Sequence, residues 1–280
     1  MPNQPETAEL TLRQKTSPGR HLFTAGVLAW FGILVLLPLG GIAREALRYS
    51  PTAIWDSLRS PESMHAFWMT LLLTVSAVVI NTVLGVISAL VLSRQRFAGR
   101  LLLESSIDLP FAISPVVAGF MLILLFGPKG WLGPLLSKMH FKVVYAFPGM
   151  LLATLFVTMP FVIKEILPVL REFGHDQEES AAVLGATRWQ TFWRITLPSI
   201  RWGLGYGVTL TIARSIGEFG AVLVVSGSII HRTQTATLRV HDQFTDLNYS
   251  GAFSAALVLA LISFCVLNFI QFLHKRRGGC

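Results

Sequence analysis

The sequence predicts an all-α, polytopic bundle of six transmembrane helices with both termini in the cytoplasm. Three observations carry this. Of the 280 residues, 52% are hydrophobic and 14% charged, where a soluble domain holds roughly 25% charged residues, and the mean hydropathy is +0.59. Six continuously apolar runs follow one another, at 22–42, 67–92, 101–126, 148–170, 204–226 and 252–273. The basic residues between these runs are divided unequally, and the richer side is the cytoplasmic one.

Each run is long enough to cross a hydrocarbon core about 30 Å thick as a helix. A β-barrel would show alternating segments of about ten residues instead. Arg13, Lys15, Arg20, Arg94, Arg96, Arg100, Arg171, Arg188, Arg194, Arg201, Lys275, Arg276 and Arg277 fall on one side. Arg44, Arg48, Arg59, Lys129, Lys138, Lys142, Arg232 and Arg239 fall on the other. The expected organisation is a cytoplasmic tail at 1–21, a transmembrane domain at 22–273 with a cytoplasmic loop at 171–203, and a second tail at 274–280. Residues 1–21 are polar and lack the basic, apolar and small-residue regions of a secretory signal. A net charge of +8 raises nucleic-acid binding, but the basic residues are scattered in short clusters between apolar stretches, so no nucleic-acid partner is expected. Cys265 and Cys280 have neither disulfide nor metal-ligand spacing.

The third run is interrupted near its start by Asp108-Leu109-Pro110 and Ser114-Pro115. Proline removes a donor and crowds the preceding turn, so a kink or partial unwinding is predicted there. Irregular backbone at membrane depth is tolerated only against protein or water. Ser114 and Pro115 are therefore candidates for the wall of a path, with a kink that serves packing alone as the alternative.

The cytoplasmic loop is organised. Asp176 with Glu179 fits a capping box, the helix formers Gln177 to Leu184 follow, and Gly185 stands where a C-terminal glycine is expected. Thr187 and Gln190 repeat the cap, and Trp189, Phe192 and Trp193 share one face of a second helix, which Pro198 is expected to interrupt. Glu179, Ala181, Gly185, Ile195, Leu197 and Pro198 fall in the register of the EAA loop of ABC importer permeases. Ser180 replaces the first alanine of that pattern and leaves a hydroxyl for one extra hydrogen bond at an interface.

The loop thus resembles the coupling helix of those permeases, which sits in a cleft of an ATP-hydrolysing subunit. The resemblance implies the type I ABC importer permease fold, a multi-pass place in a bacterial-type inner membrane, and two cytoplasmic ATPase partners. The chain has no G-x-x-x-x-G-K-[ST] loop, so no cofactor is expected on it and no catalytic residue. ATP and Mg²⁺ would be bound by the partner.

In the fifth run, Thr211, Arg214, Ser215 and Glu218 form a polar stripe, and Ala213, Gly217 and Gly220 line a neighbouring small face suited to close helix contact. One helical turn lets Arg214 and Glu218 pair. Two roles stay open for them: a structural ion pair, or a path in which Arg214 favours anions and Glu218 helps form a gate. The segments 213–221 and 109–119 resemble the sulfate/molybdate branch of these permeases, and Val224-Val225-Ser226-Gly227 is similar to W-type subunits of sulfate/thiosulfate transporters.

That resemblance implies a T-type sister permease, with a homodimer as the alternative, and an extracytoplasmic sulfate-binding protein. Molybdate and tungstate permeases share the segments but are shorter, so length and the first span favour sulfate. The 231–249 loop is expected on the face opposite the coupling loop, with Thr235 as an accessible position. An ion-coupled secondary transporter is the rival from another class; it would show an inverted repeat and no coupling loop.

Overall fold

The computed structural model describes residues 18–48, 55 and 58–277, with side chains from 23 to 272. The expected tails therefore lie outside the described residues at 1–17 and 278–280, while 18–21 and 274–277 are helical. Every described element is a helix. Four helices are long and apolar enough to cross a membrane: α1 (Pro18–Arg48), α2 (Pro61–Arg94), α6 (Phe147–Phe173) and α12 (Tyr249–Arg277). Two bent pairs bring the total to six. The first is α3 (Arg100–Ala112) with α4 (Pro115–Phe126), followed by the short α5 (Gly133–Lys138), and the second joins the helix ending at Ile216 to α10 (Gly220–Ser226).

The third run is more than kinked. Its two halves meet at 114°, and at 13 and 12 residues each is only about 20 Å long, short of the bilayer core. The break is at Ile113-Ser114, where the backbone becomes extended and Pro115 opens α4. Pro110 is buried within α3 and does not break it. A proline suits the first turn, whose amide would be unpaired anyway.

Helix α6 is the central post, and α2 and α9 (Leu197–Ile216) pack both on it and on each other. Asn81 of α2 is buried and its amide donates to Thr158 Oγ1 of α6 at 2.7 Å, the kind of polar contact that fixes neighbouring helices where apolar burial gives no preference. Val86, Ala89, Leu92, Ile107, Val162, Ile163, Ile166, Leu170 and Ile200 close one core around this post. Ala153 and Val157 of α6 meet Ala221 and Val225 of α10 in another. By contrast α1 leans on α12 and exposes its apolar side chains, including Leu36 and Leu37 at 67% each.

Residues 231–249 are not an open loop. They contain α11 (Ala236–Thr245), Thr235 is 2% exposed, and the adjacent Ala236 amide donates to Thr70 Oγ1 of α2 at 2.8 Å. An accessible position on this face is Leu247 instead, at 71%.

Two glycines let α9 reach α6. A methyl group at Gly203 would stand 2.6 Å from the Glu165 carbonyl oxygen, and one at Gly207 would stand 2.9 Å from Val162 Cα. Both neighbours are backbone atoms that cannot turn aside. Gly207→Val is therefore expected to destabilise the protein by about 1–3 kcal/mol through overpacking. Gly32→Val on α1, which meets nothing within 4 Å, should leave the melting temperature in detergent unchanged.

Candidate functional site

Two regions hold the residues singled out by the sequence: a helical projection at 171–203 and the junction of the two bent spans. The projection begins with α7 (Asp176–Val183), an eight-residue helix with three acidic side chains in its first turn, Asp176, Glu178 and Glu179. Carboxylates there complement the positive end of the helix dipole. The predicted capping box is absent. His175 occupies the N-cap without a side-chain bond, and Asp176 is already helical.

Gly185 ends α7 in the left-handed region at φ 85°. Its amide donates to Ala182 O and the Ala186 amide to Ala181 O, both at 3.0 Å, so the freed carbonyls are satisfied in a Schellman turn. Ser180 does not offer its proton to an interface, because its Oγ donates to Asp176 O at 2.7 Å. Glu179 is exposed, with no side-chain hydrogen bond or ion pair among the described residues. Its neighbour Glu178 accepts from Arg94 at 2.8 Å and from Thr196 at 2.6 Å. Spacing pointed to Glu179 alone, and only the fold could bring Arg94, 84 positions away, to its neighbour.

The second cap forms as expected. Thr187 and Gln190 make a reciprocal capping box at the start of α8 (Arg188–Thr191), and the rings of Trp189, Phe192 and Trp193 contact one another. Pro198, however, does not interrupt the chain. A π-helical turn at Phe192–Thr196, with the Leu197 amide bonded to Phe192 O, carries α8 into α9. The wider turn absorbs the donor and the space that the proline ring removes. Helix runs from Arg188 to Ile216, with Thr196 buried, Ile195 and Leu197 half-buried and Pro198 exposed. Val183 and Leu184, at 87% and 88%, and Trp189 at 69% leave an apolar surface on the projection.

At its far end α9 stops at Ile216, and α10 starts at Gly220 after a bend of 53°. Glu218 lies in this gap with its side chain fully buried. One oxygen accepts from the Ala221 amide at 2.9 Å, and the other faces the Arg214 guanidinium at 2.7 Å. The Glu218 carbonyl accepts from Thr237 Oγ1 of α11 at 2.8 Å. The pair predicted from spacing is present, and Glu218, one residue before the N-cap Phe219, also takes up a first-turn amide of α10.

Thr211 is buried and donates to Gly207 O, while Ser215 Oγ is buried with no hydrogen-bond partner among the described residues. Arg214 alone of the stripe is partly open, at 32%.

The two breaks lie side by side. A methyl group at Gly220 would stand 3.2 Å from Pro115 Cβ, and one at Gly119 would stand 2.8 Å from Val224 Cβ. Segments about a hundred residues apart in sequence are thus joined along α4 and α10, with Ser114 exposed beside them. Gly220 makes the close contact expected of it, whereas Gly217 is exposed and meets only Ala213 O, at 3.7 Å.

Lys164, Asp108 and Glu104 also form ion pairs between helices that no spacing marks. Lys164 of α6 pairs with Asp108 of α3 at 2.6 Å and lies 4.8 Å from the Phe111 ring centre. Glu104 of α3 bridges Arg100 and Arg171 at 3.0 and 2.6 Å. Among the described residues, no group of three or more His, Cys, Asp or Glu side chains could hold a metal.

Residues 81–279 match the family described as binding-protein-dependent transport system inner membrane component. The chain belongs to this family. It is a multi-pass inner-membrane permease component. It is 47% identical over 251 residues to the sulfate transport system permease protein CysW of Synechococcus elongatus, covering 90% of this chain and 88% of that one.

It is 36% identical over 265 residues to the sulfate transport system permease protein CysT of Escherichia coli, covering 95% and 96%. Among solved structures, a bacterial alginate ABC transporter in complex with an alginate pentasaccharide-bound periplasmic protein aligns with a TM-score of 0.79 at 18% identity. The alignment covers 92% of this chain and 94% of that one, which establishes the type I importer permease fold expected from the EAA register.

The junction yields a direct test. Arg214→Ala strands the Glu218 carboxylate, and breaking a buried pair this way costs about 3–5 kcal/mol; the partial exposure of Arg214 places the loss at the low end. Protein level in the membrane should fall. Adding Glu218→Gln, whose amide oxygen can still accept from Ala221, should restore it. Transport activity that returns with the protein level assigns the pair to structure, and activity that stays lost assigns it to the path.

Proposed function

We propose that the chain is the W-type half of the membrane channel of an ATP-driven sulfate and thiosulfate importer. The observation that carries this is the helix from Arg188 to Ile216. At one end is a capped projection with an exposed apolar surface, and at the other is a break held by an intramembrane ion pair. Such a helix joins an external docking element to the part of the bundle where the spans are bent. The likeness to the sulfate permeases CysW and CysT supports the anion and a sister subunit of T type. The alginate transporter is in complex with a periplasmic protein, which supports a partner of that class here, loaded with sulfate.

In this proposal both termini and the 171–203 loop face the cytoplasm, in line with the excess of Lys and Arg there. Two ATPase subunits bind ATP and Mg²⁺ and receive the projection through Glu179, Ser180, Ala181, Gly185, Val183, Leu184 and Trp189. Ile195, Leu197 and Pro198 carry its second helix into the span. Ser114, Pro115, Thr211, Arg214, Ser215 and Glu218 lie at the path or its gate. Arg214, the stripe's one charge open to a passing solute, favours anions, and its planar head suits a tetrahedral oxyanion better than a lysine ammonium would.

Gly185 provides the test. Its surroundings are open, with nothing within 4 Å of an added methyl group. A substitution therefore acts through the left-handed backbone, at about 1–2 kcal/mol for a residue with a Cβ, and not through a clash. Gly185→Val is expected to insert at a normal level while bound ATPase subunit, measured by pull-down from detergent, and sulfate uptake both fall at least tenfold. Glu179→Ala should lower them less. Normal binding and uptake in Gly185→Val would contradict the assignment of the loop.

A further inference from the structure

The first turn of α7 is fastened to the membrane body by a side chain from a distant span. Arg94, the last residue of α2, donates through Nη1 to the Gly174 carbonyl at 2.6 Å and through Nη2 to Glu178 Oε1 at 2.8 Å. The same Glu178 oxygen accepts from Thr196 Oγ1 at 2.6 Å. Gly174 follows the end of α6, and Thr196 closes the π-helical turn that leads into α9. One guanidinium and one carboxylate thus gather the ends of α2, α6 and α9 around α7.

The side chains of Arg94 and Glu178 are 16% and 21% exposed, and Thr196 is 3% exposed, so this contact is screened less than a surface pair. The other fastenings of α7 are weak. None of its residues is buried. It is flanked by Gly174 at φ 71° and Gly185 at φ 85°, and both have open space around them. A force applied to α7 alone would be taken up by rotation at those two glycines.

We propose that Arg94, Glu178 and Thr196 form a strut that makes the coupling helix move as one body with α2, α6 and α9, with Glu178 as its positioning residue. Glu178 then acts on transport without touching sulfate or ATP. The strut rests on the importer reading above and adds to it where the force enters the bundle. Arg94 serves two acceptors with one planar fork, which a lysine ammonium cannot reproduce in the same geometry. The Arg171–Glu104 pair nearby is more exposed, at 46% and 30%, and does not touch α7, so it serves as the control.

The test uses the complete transporter, with permease pair, ATPase subunits and sulfate-binding protein, in proteoliposomes. Glu178→Gln, which keeps the shape of the side chain, and Arg94→Ala should retain wild-type amounts of bound ATPase, while the sulfate moved per ATP hydrolysed falls about tenfold. Arg94→Lys should fall between wild type and Arg94→Ala, and Glu104→Gln should stay within twofold of wild type.

In the same complexes, electron-spin distance measurements between labels at Gln177 and Gln95, both exposed and outside the docking surface, should give one narrow distribution in wild type and a broad one in Glu178→Gln. An unchanged distribution and an unchanged ratio in Glu178→Gln and Arg94→Ala would overturn the strut. Loss of bound ATPase in proportion to transport would also overturn it, in favour of a docking role. A narrow distribution that broadens in Glu178→Gln, in a wild type that shows no ATP-driven uptake, would uphold the strut and overturn the importer reading.

Discussion

Backbone groups freed inside a membrane have no water to bond to, and the architecture follows from how this chain meets that requirement at its breaks. At the bend after Ile216 the solution is Glu218, whose carboxylate takes up the Ala221 amide and is balanced by Arg214, while its carbonyl is held by Thr237. At the bend after Ala112 the solution is Pro115, which has no amide proton to satisfy. The two solutions are packed together through Gly220 and Gly119, so each break shields the other. A straight helix in either place would offer no junction and no reason for a buried carboxylate.

The junction is also where a displacement of the projection would be felt. From Arg188 to Ile216 is 29 residues of helix, about 44 Å, and the π-helical turn keeps Pro198 from cutting it. Along this length α9 is pressed on α6 through Gly203 and Gly207, and its other neighbours are α2 and α12. A tilt of the projection therefore cannot be absorbed within α9 and reaches Arg214 and Glu218. The peripheral α1, packed on α12 with its apolar side chains exposed, stands outside this line.

How much of this was legible in the sequence depends on the range of the interaction concerned. Gly185, the Thr187–Gln190 cap, the aromatic cluster around Trp189 and the Arg214–Glu218 pair all involve residues within a few positions of one another, and spacing located each of them. The Asp176 cap failed because helix propensity cannot tell the residue before a helix from its first residue, and here His175 is that cap. Gly217 and Gly207 look alike in sequence; only packing against Val162 shows that Gly207 is the contact and Gly217 the exposed end of α9. Arg94 with Glu178 and Lys164 with Asp108 join separate helices, and no local period marks them. Pro198 obeyed the rule that proline disturbs a helix, but the disturbance took the form of a wider turn instead of an end.

On the proposed function, this bundle is driven by ATP through the 171–203 loop and not by an ion gradient through its buried charges. The most direct measurement is sulfate accumulation in proteoliposomes that contain the chain with its sister permease and ATPase, with sulfate-binding protein outside and ATP inside. Accumulation that requires both ATP and the binding protein, and that persists when proton and sodium gradients are collapsed, is the result predicted. Accumulation that proceeds without ATP and stops when the gradients are collapsed would contradict it.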